Sequence, residues 1–214
     1  MKDLLRIGLI LGLAFASTFV IIRALGLLPE DGVIAWLESL RDIHPGWLMA
    51  GVIALLLLDL FIAVPTMTTI LIAGWLLGPV LGGLTAAIGL MLMGSIGYTL
   101  GRNLGRPILK RLFKDDTSLT EIEAAFARND LLTLAVCQAL PILPELSATL
   151  AGIARMPPLR FALGYGLGVI PFAFIVAAGG AASTPDDLRP AILTAIATTA
   201  TLLILWRLLL RRRM

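Results

Sequence analysis

The sequence predicts an all-α integral membrane protein. Its core is an inverted repeat of two re-entrant helical hairpins, each followed by a transmembrane helix, with N- and C-terminal transmembrane helices added. Three observations carry this prediction. The 214 residues are 58% hydrophobic and only 14% charged, with a mean hydropathy of +0.96, whereas soluble domains run near 45–50% apolar and about 25% charged. Ionisable residues are missing from long windows: only Asp59 interrupts Gly46 to Gly101, only Glu145 interrupts Leu131 to Ala154, and none lies in Phe161–Pro185 or Ala191–Trp206. Prolines break two of these windows, at Pro65 and at Pro141 and Pro144.

Composition also excludes function classes. Apolar surface on this scale cannot all be buried within one small chain, so much of it must face lipid. The net charge of +3 and pI near 9.5 then reflect basic cytoplasmic loops rather than a nucleic-acid surface. The single cysteine, Cys137, rules out a disulfide framework or a cysteine-based zinc cluster. The single histidine, His44, falls in a polar loop, which excludes histidine-dependent chemistry inside the membrane. No metal or cofactor is expected.

The elements follow in order. Leu4 to Leu28 forms the first membrane segment, with Arg23 placed to snorkel. Lys2 and Arg6 ahead of an apolar run, with Ala14-Phe15-Ala16, also fit a signal peptide, but the run continues to Ile22 and favours an uncleaved anchor. Ile34, Leu37, Leu40 and Ile43 recur at helical spacing in the acidic stretch Pro29–Gly46, as in an interfacial helix. Residues 1–46 thus form an anchor region, 47–180 the core and 181–214 a C-terminal helix with a basic tail. Within the core, Arg102 to Asp130 is the most charged stretch, and Ser118-Leu119-Thr120-Glu121 reads as a capping box opening a second interfacial helix. The positive-inside rule places both termini and this loop in the cytoplasm.

Sidedness then forces the hairpins. Gly83–Leu100 is one clear crossing, and the number of crossings between Gly46 and Arg102 must be odd. Residues 47–78 must therefore leave and return on the outer side. They are too short for two spans of about 20 residues each, and they are broken at Pro65-Thr66. Residues 131–156 pose the same problem from the cytoplasmic side, broken at Pro141 and Pro144, before a crossing at Leu159–Gly179. Ala73-Gly74 and Ala151-Gly152, each followed after the same short spacer by a proline (Pro79 and Pro157), fit an inverted repeat whose breaks mark a substrate site. Two unrelated kinked hairpins would fit the same spacing.

Each proline leaves a carbonyl without its helical partner, and such backbone survives in hydrocarbon only inside protein or beside a wet cavity. Thr66, Thr68, Thr69, Ser147 and Thr149 lie beyond the breaks and can serve the freed groups. Asp59 and Glu145 lie close to them, and a carboxylate at membrane depth costs roughly 2.5–3.5 kcal/mol. The two acids form a candidate proton or substrate site; alternatively each sits at an interface or bonds a backbone amide. Gly97, Gly101 and Gly105 recur every fourth residue, as do Gly164 and Gly168, which suits close helix packing. Arg102 and Arg106 fall on one face at the cytoplasmic end, where guanidinium forks suit a phosphate headgroup, or simply anchor the helix end.

These residues resemble a family pattern. Gly78-Pro79, Gly82-Gly83, Gly94, Tyr98, Gly101-Arg102 and Gly105-Arg106 are similar to the first half of the DedA/VTT-domain (SNARE-associated) superfamily. Pro141-Ile142-Leu143-Pro144, then Gly152, Pro157, Phe161, Gly164, Gly168 and Pro171, resembles its second half, and the likeness covers Trp47 to Gly180. The resemblance implies two facing re-entrant hairpins and a role in moving lipids: flipping of phospholipids or polyprenyl-phosphate carriers in bacterial members, often coupled to protons, and scrambling in eukaryotic relatives. It also implies a plasma-membrane location, the inner membrane of a bacterium. Two positions depart from the pattern. Gln138 stands where the second half usually has arginine, and Pro65-Thr66-Met67 replaces a Pro-Gly-Glu sequence, leaving Asp59 as the acid of the first hairpin.

The expected function is a lipid flippase or scramblase, with proton or substrate contacts at Asp59, Glu145 and Gln138 and phosphate contacts at Arg102 and Arg106. Its partners are membrane lipids, with no nucleic acid, and a homo-oligomer is allowed. A small-solute or ion transporter on the same repeat is the alternative. An enzyme is not expected: Gly94-Ser95-Ile96-Gly97 superficially matches a serine motif, but no membrane histidine exists to activate it.

Overall fold

The computed structural model describes residues 40, 43–60, 64–105, 134, 143–184 and 187–211, with residues 143–146 and most of 202–211 described by their backbone. The chain divides into two compact units, Met1–Ile43 and His44–Met214. The second is described here. The N-terminal segment, the Arg102–Asp130 loop beyond Gly105, and Pro141 lie outside the described residues. The described residues are helical throughout, without strands.

Helix α1 spans Pro45–Leu58. Proline fills its first turn, where the missing N–H costs nothing, and His44 Nδ1 accepts from the Gly46 N–H at 3.1 Å. Fourteen residues rise only about 21 Å, short of a hydrocarbon core of about 30 Å. The helix stops at Asp59, and the next begins just after Pro65, which disfavours helical backbone before it and removes a donor. The expected break at Pro65-Thr66 is therefore where the helix is interrupted.

Helix α2 spans Thr66–Leu100. It bends sharply at Gly78, whose φ of 80° and ψ of 174° lie in a region that a side chain would make costly. The following Pro79 cannot donate back across the bend. A Cβ at Gly82 would lie 2.8 Å from Gly74 Cα. In a straight helix these residues would stand about 12 Å apart along the axis, so the bend brings the end of the limb of residues 66–77 against the start of the limb of residues 79–100. The second limb passes into a short π-helical turn, Gly101–Gly105.

Helix α3 spans Leu143–Ile153, α4 Pro158–Ala181 and α5 Arg189–Arg211. The expected span at Leu159–Gly179 thus falls within α4, and the closing segment within α5. Two stretches, Thr66–Gly105 and Pro158–Ala181, are long and apolar enough to cross a membrane. For the first, the bend leaves the second limb and the π turn to do so.

The core is the seam between α2 and α4, whose contact is the most extensive in the unit. Phe161 stacks on Tyr98, a Cβ at Gly94 would meet the Tyr165 ring, and one at Gly83 would meet the Phe174 ring. These pairs make α4 antiparallel to the second limb. Gly74 and Gly180 close the far end: a Cβ on either would stand 2.0 Å from a backbone carbonyl oxygen, of Ala177 and Leu71 respectively. Outward, Val80, Leu84, Leu92, Leu159, Leu167 and Leu193 are exposed. Apolar exposure on this scale is the mark of a lipid-facing surface.

Hydroxyls in these apolar helices bond backward within the helix. Thr85 donates to the Leu81 carbonyl, Ser95 to Met91 and Thr99 to Ser95, each at 2.7 Å. That leaves none of these three donors stranded in hydrocarbon.

Candidate functional site

The first constellation is the turn between α1 and α2. Asp59 ends α1, its own N–H bonding the Leu55 carbonyl at 3.2 Å. Its carboxylate turns forward across the turn. Oδ1 accepts from the Val64 N–H at 2.8 Å, and Oδ2 accepts from the Thr66 hydroxyl. Thr69 opens α2 with two bonds to the Pro65 carbonyl, from its N–H at 3.0 Å and its hydroxyl at 3.2 Å. A single half-buried acid therefore closes the turn that Pro65 opens. Of the two roles the sequence leaves open for Asp59, the bond to a backbone amide is formed.

The turn's position is fixed by packing. A Cβ at Gly89 would meet Leu56 Cδ1 at 2.7 Å, so Asp59, one turn beyond Leu56, stands near the middle of the limb 79–100.

The second constellation lies at the end of that limb. Gly101 and Gly105 face α3: a Cβ at Gly101 would stand 2.1 Å from the Thr149 carbonyl oxygen, and one at Gly105 2.3 Å from Ile153 Cγ1. Gly152 returns the contact, since its Cβ would stand 2.0 Å from the Tyr98 carbonyl oxygen. The four-residue glycine spacing thus serves backbone-to-backbone packing.

The turn after α3 is tied to the same place. Helix α3 ends in a Schellman motif, with the Met156 N–H on the Ala151 carbonyl and the Arg155 N–H on the Gly152 carbonyl. Arg155 holds the left-handed position at φ 54°, normally a glycine's place. The freed Met156 carbonyl accepts from the Tyr98 hydroxyl and, at 3.2 Å, from Arg102 Nη1. Arg102 Nη1 also donates to the Tyr98 hydroxyl, and the guanidinium carbon lies 5.8 Å from that ring. Phe161 extends the stack to Tyr165, with ring centroids 5.2 Å apart.

A model of the VTT domain matches residues 64–182, more than half of the chain. The chain belongs to the VTT-domain (DedA/SNARE-associated) family. No curated protein and no solved structure matches it. The VTT match takes in α2, the π turn, α3 and α4, which build the second constellation; helix α1 and Asp59 of the first precede it. The family and the two apolar helices make this a membrane protein.

The structure distributes the sequence-predicted site residues unevenly. Asp59, Pro65 and Thr66 meet at the first turn, and Arg102 lies at the second. Pro144 and Glu145 sit in the first turn of α3 by their backbone, while Gln138, Pro141 and Arg106 lie outside the described residues. Arg102 is exposed and is also bonded within the protein. Tyr98, Arg155 and Met156 were not among the predicted site residues. Tyr98 stood in the family pattern one turn before Arg102, which puts the two side chains within reach; nothing in the sequence marks a carbonyl acceptor such as that of Met156.

Proposed function

We propose that this VTT-domain protein moves membrane lipids between leaflets, as a flippase or scramblase, along a path between two hairpins that enter from opposite faces. One observation carries the reading: the Asp59 turn stops near the middle of a limb long enough to cross the membrane. Helix α1 and residues 66–77 each rise less than the hydrocarbon thickness, as a re-entrant hairpin requires. Glu145 lies in the first turn of α3, the helix packed on Gly101 at the end of the same limb, which supports a site built from two broken elements.

On this reading the two acids carry protons or contact the headgroup beside Gln138. Arg102 and Arg106 face the cytoplasmic leaflet, and the termini are cytoplasmic in a plasma membrane, the inner membrane of a bacterium. Two copies can associate, and no covalent chemistry or cofactor is invoked. The test is dithionite bleaching of fluorescent phospholipid in proteoliposomes across a pH series. The expected result is faster loss of the inner-leaflet signal than in empty vesicles, slowed in Asp59→Asn and Glu145→Gln. Equal rates with and without protein would refute lipid transport. Unchanged rates in both variants would refute the assignment of the acids.

A further inference from the structure

A groove runs between α2 and α4 on their lipid-facing side. It has a volume of about 340 Å³ and is lined by Leu84, Ile88, Met91, Ser95, Ile170 and Phe174 among others. Its walls are hydrocarbon apart from Ser95, whose proton is directed to the Met91 carbonyl. At 100° per residue, positions 84, 88, 91 and 95 fall on one stripe of the second limb, and the same count carries that stripe through Thr99 to Arg102. On α4 the matching stripe runs back from Phe174 and Ile170 through the exposed Leu163 and Leu159 toward the turn that bears Arg155. The stacking of Phe161 on Tyr98 brings both stripes to the same end.

The dimensions fit one lipid tail. Leu84 to Ser95 rises about 16 Å, close to one leaflet's half of a hydrocarbon core of about 30 Å. The end beyond Ser95 is positive. Arg102 and Arg155 are both exposed there. Among the described side chains the acids are Asp59, at the α1–α2 turn, and Asp187, past the opposite end of α4, so neither offsets them. Arg155 is also kept in a left-handed conformation that glycine would occupy without strain. Arg155 adjoins Met156, whose carbonyl bonds Arg102, so the two arginines stand together at the end toward which the groove runs.

We propose that this groove holds one acyl chain of a lipid whose headgroup carries net negative charge, with its phosphate at Arg102 and Arg155. The inference deepens the transport reading and rests on its membrane placement. It names the lipid class and a resting place for the tail outside the path between the hairpins.

The experiment uses the full chain with Cys137→Ala and Leu167→Cys, a position exposed on α4 outside the groove's lining, labelled with a fluorophore and placed in phosphatidylcholine nanodiscs. Phosphatidylglycerol or phosphatidylcholine bearing a nitroxide on the acyl chain is titrated in, and quenching is read. Half-quenching is expected at a lower mole fraction of the anionic lipid, by about fivefold for each arginine. Arg102→Gln and Arg155→Gly should each remove their share. Arg155→Gly relieves backbone strain, so its loss of preference would not reflect unfolding, which a thermal melt verifies. Soluble glycerol phosphate should leave the quenching unchanged.

Equal quenching by the two lipids overturns the proposal, as does a preference that survives Arg155→Gly. Competition by glycerol phosphate overturns the lipid as the source of the phosphate. Dithionite assays on the same variants separate the two readings: anionic preference without scrambling upholds the groove and refutes transport.

Discussion

The Asp59 turn offers the most direct test of the architecture. Its carboxylate makes two bonds, to the Val64 N–H at 2.8 Å and to the Thr66 hydroxyl. Hydrogen bonds to a charged group contribute about 1.5–3 kcal/mol each in soluble proteins. Side-chain bonds within membrane proteins average nearer 0.6 kcal/mol, because the unfolded chain also finds partners there. Asp59 is half-buried, which argues for the lower part of the combined range. Asp59→Ala should therefore destabilise by about 1–3 kcal/mol, and Thr66→Val by roughly 0.5–1.5 kcal/mol. Because the two share one bond, the double variant should fall short of the sum by about 0.6–1.5 kcal/mol. Asp59→Asn should cost less than Asp59→Ala, since its amide oxygen still accepts from the Val64 N–H. Reversible unfolding in mixed detergent micelles, followed by circular dichroism, supplies all the values. Strictly additive effects at Asp59 and Thr66 would refute the turn geometry. A strongly reduced lipid transport rate in a stable Asp59→Asn would show a role beyond turn closure.

Other expectations follow from the packing. Gly152→Ala drives a methyl group to 2.0 Å from the Tyr98 carbonyl oxygen; backbone cannot yield as a side chain does, so a loss of about 3 kcal/mol or more is expected in the same unfolding assay. Gly78→Ala meets no neighbouring atom yet must hold φ at 80° and ψ at 174°, costing roughly 1–3 kcal/mol of stability through strain alone. Arg155→Gly should raise stability by up to about 1 kcal/mol, relief of strain being partly offset by the freedom glycine adds to the unfolded chain. Tyr98→Phe keeps the stack on Phe161 but removes a buried hydroxyl bonded to the Met156 carbonyl, a loss of about 0.5–1.5 kcal/mol measured against Arg102→Gln and the double variant.

What the sequence made legible follows from what each signal encodes. Lipid-facing helices announce themselves by lacking charge, so the spans ending at Leu100 and beginning near Pro158 were readable within a residue or two. Proline marks a break through its own covalent structure, and Pro65 falls where α1 has ended and α2 begins. The bend at Gly78 was legible only as a glycine–proline pair. Its depth depends on Gly82 and Gly74 meeting across it, which is tertiary information. The four-residue spacing of Gly97, Gly101 and Gly105 announced a close partner without identifying it, because glycine permits approach from any backbone. That the partner is α3, at Thr149 and Gly152, follows from the fold. The knot of Tyr98, Arg102 and the Met156 carbonyl was the least readable part, since it joins a side chain to backbone far along the chain. For Asp59, burial cost argued for some relief, and the structure supplies it from Val64 and Thr66, near neighbours in sequence.

The two constellations share one logic, set by the solvent. Between helices in lipid there is little hydrophobic gain from association, so packing and hydrogen bonds must hold them. Glycine at positions 74, 101, 152 and 180 brings backbones into contact and maximises packing, while Asp59, Tyr98 and Arg102 close the places where backbone leaves the helix. Arg102 joins this scheme to the membrane surface. Its guanidinium carries five N–H donors in a fixed fork, and the contacts to Tyr98 and Met156 both run through Nη1. The rest of the fork belongs to an exposed residue at the mouth of an apolar groove. A lysine could neutralise a phosphate there, but its point charge could not keep a planar contact with Tyr98 and the Met156 carbonyl while presenting a second edge outward. The arginine that fastens the α3–α4 turn to the end of the spanning limb is thus also oriented by that fastening. A phosphate reaching it would meet donors already held in place, and the ordering cost of binding would be correspondingly small.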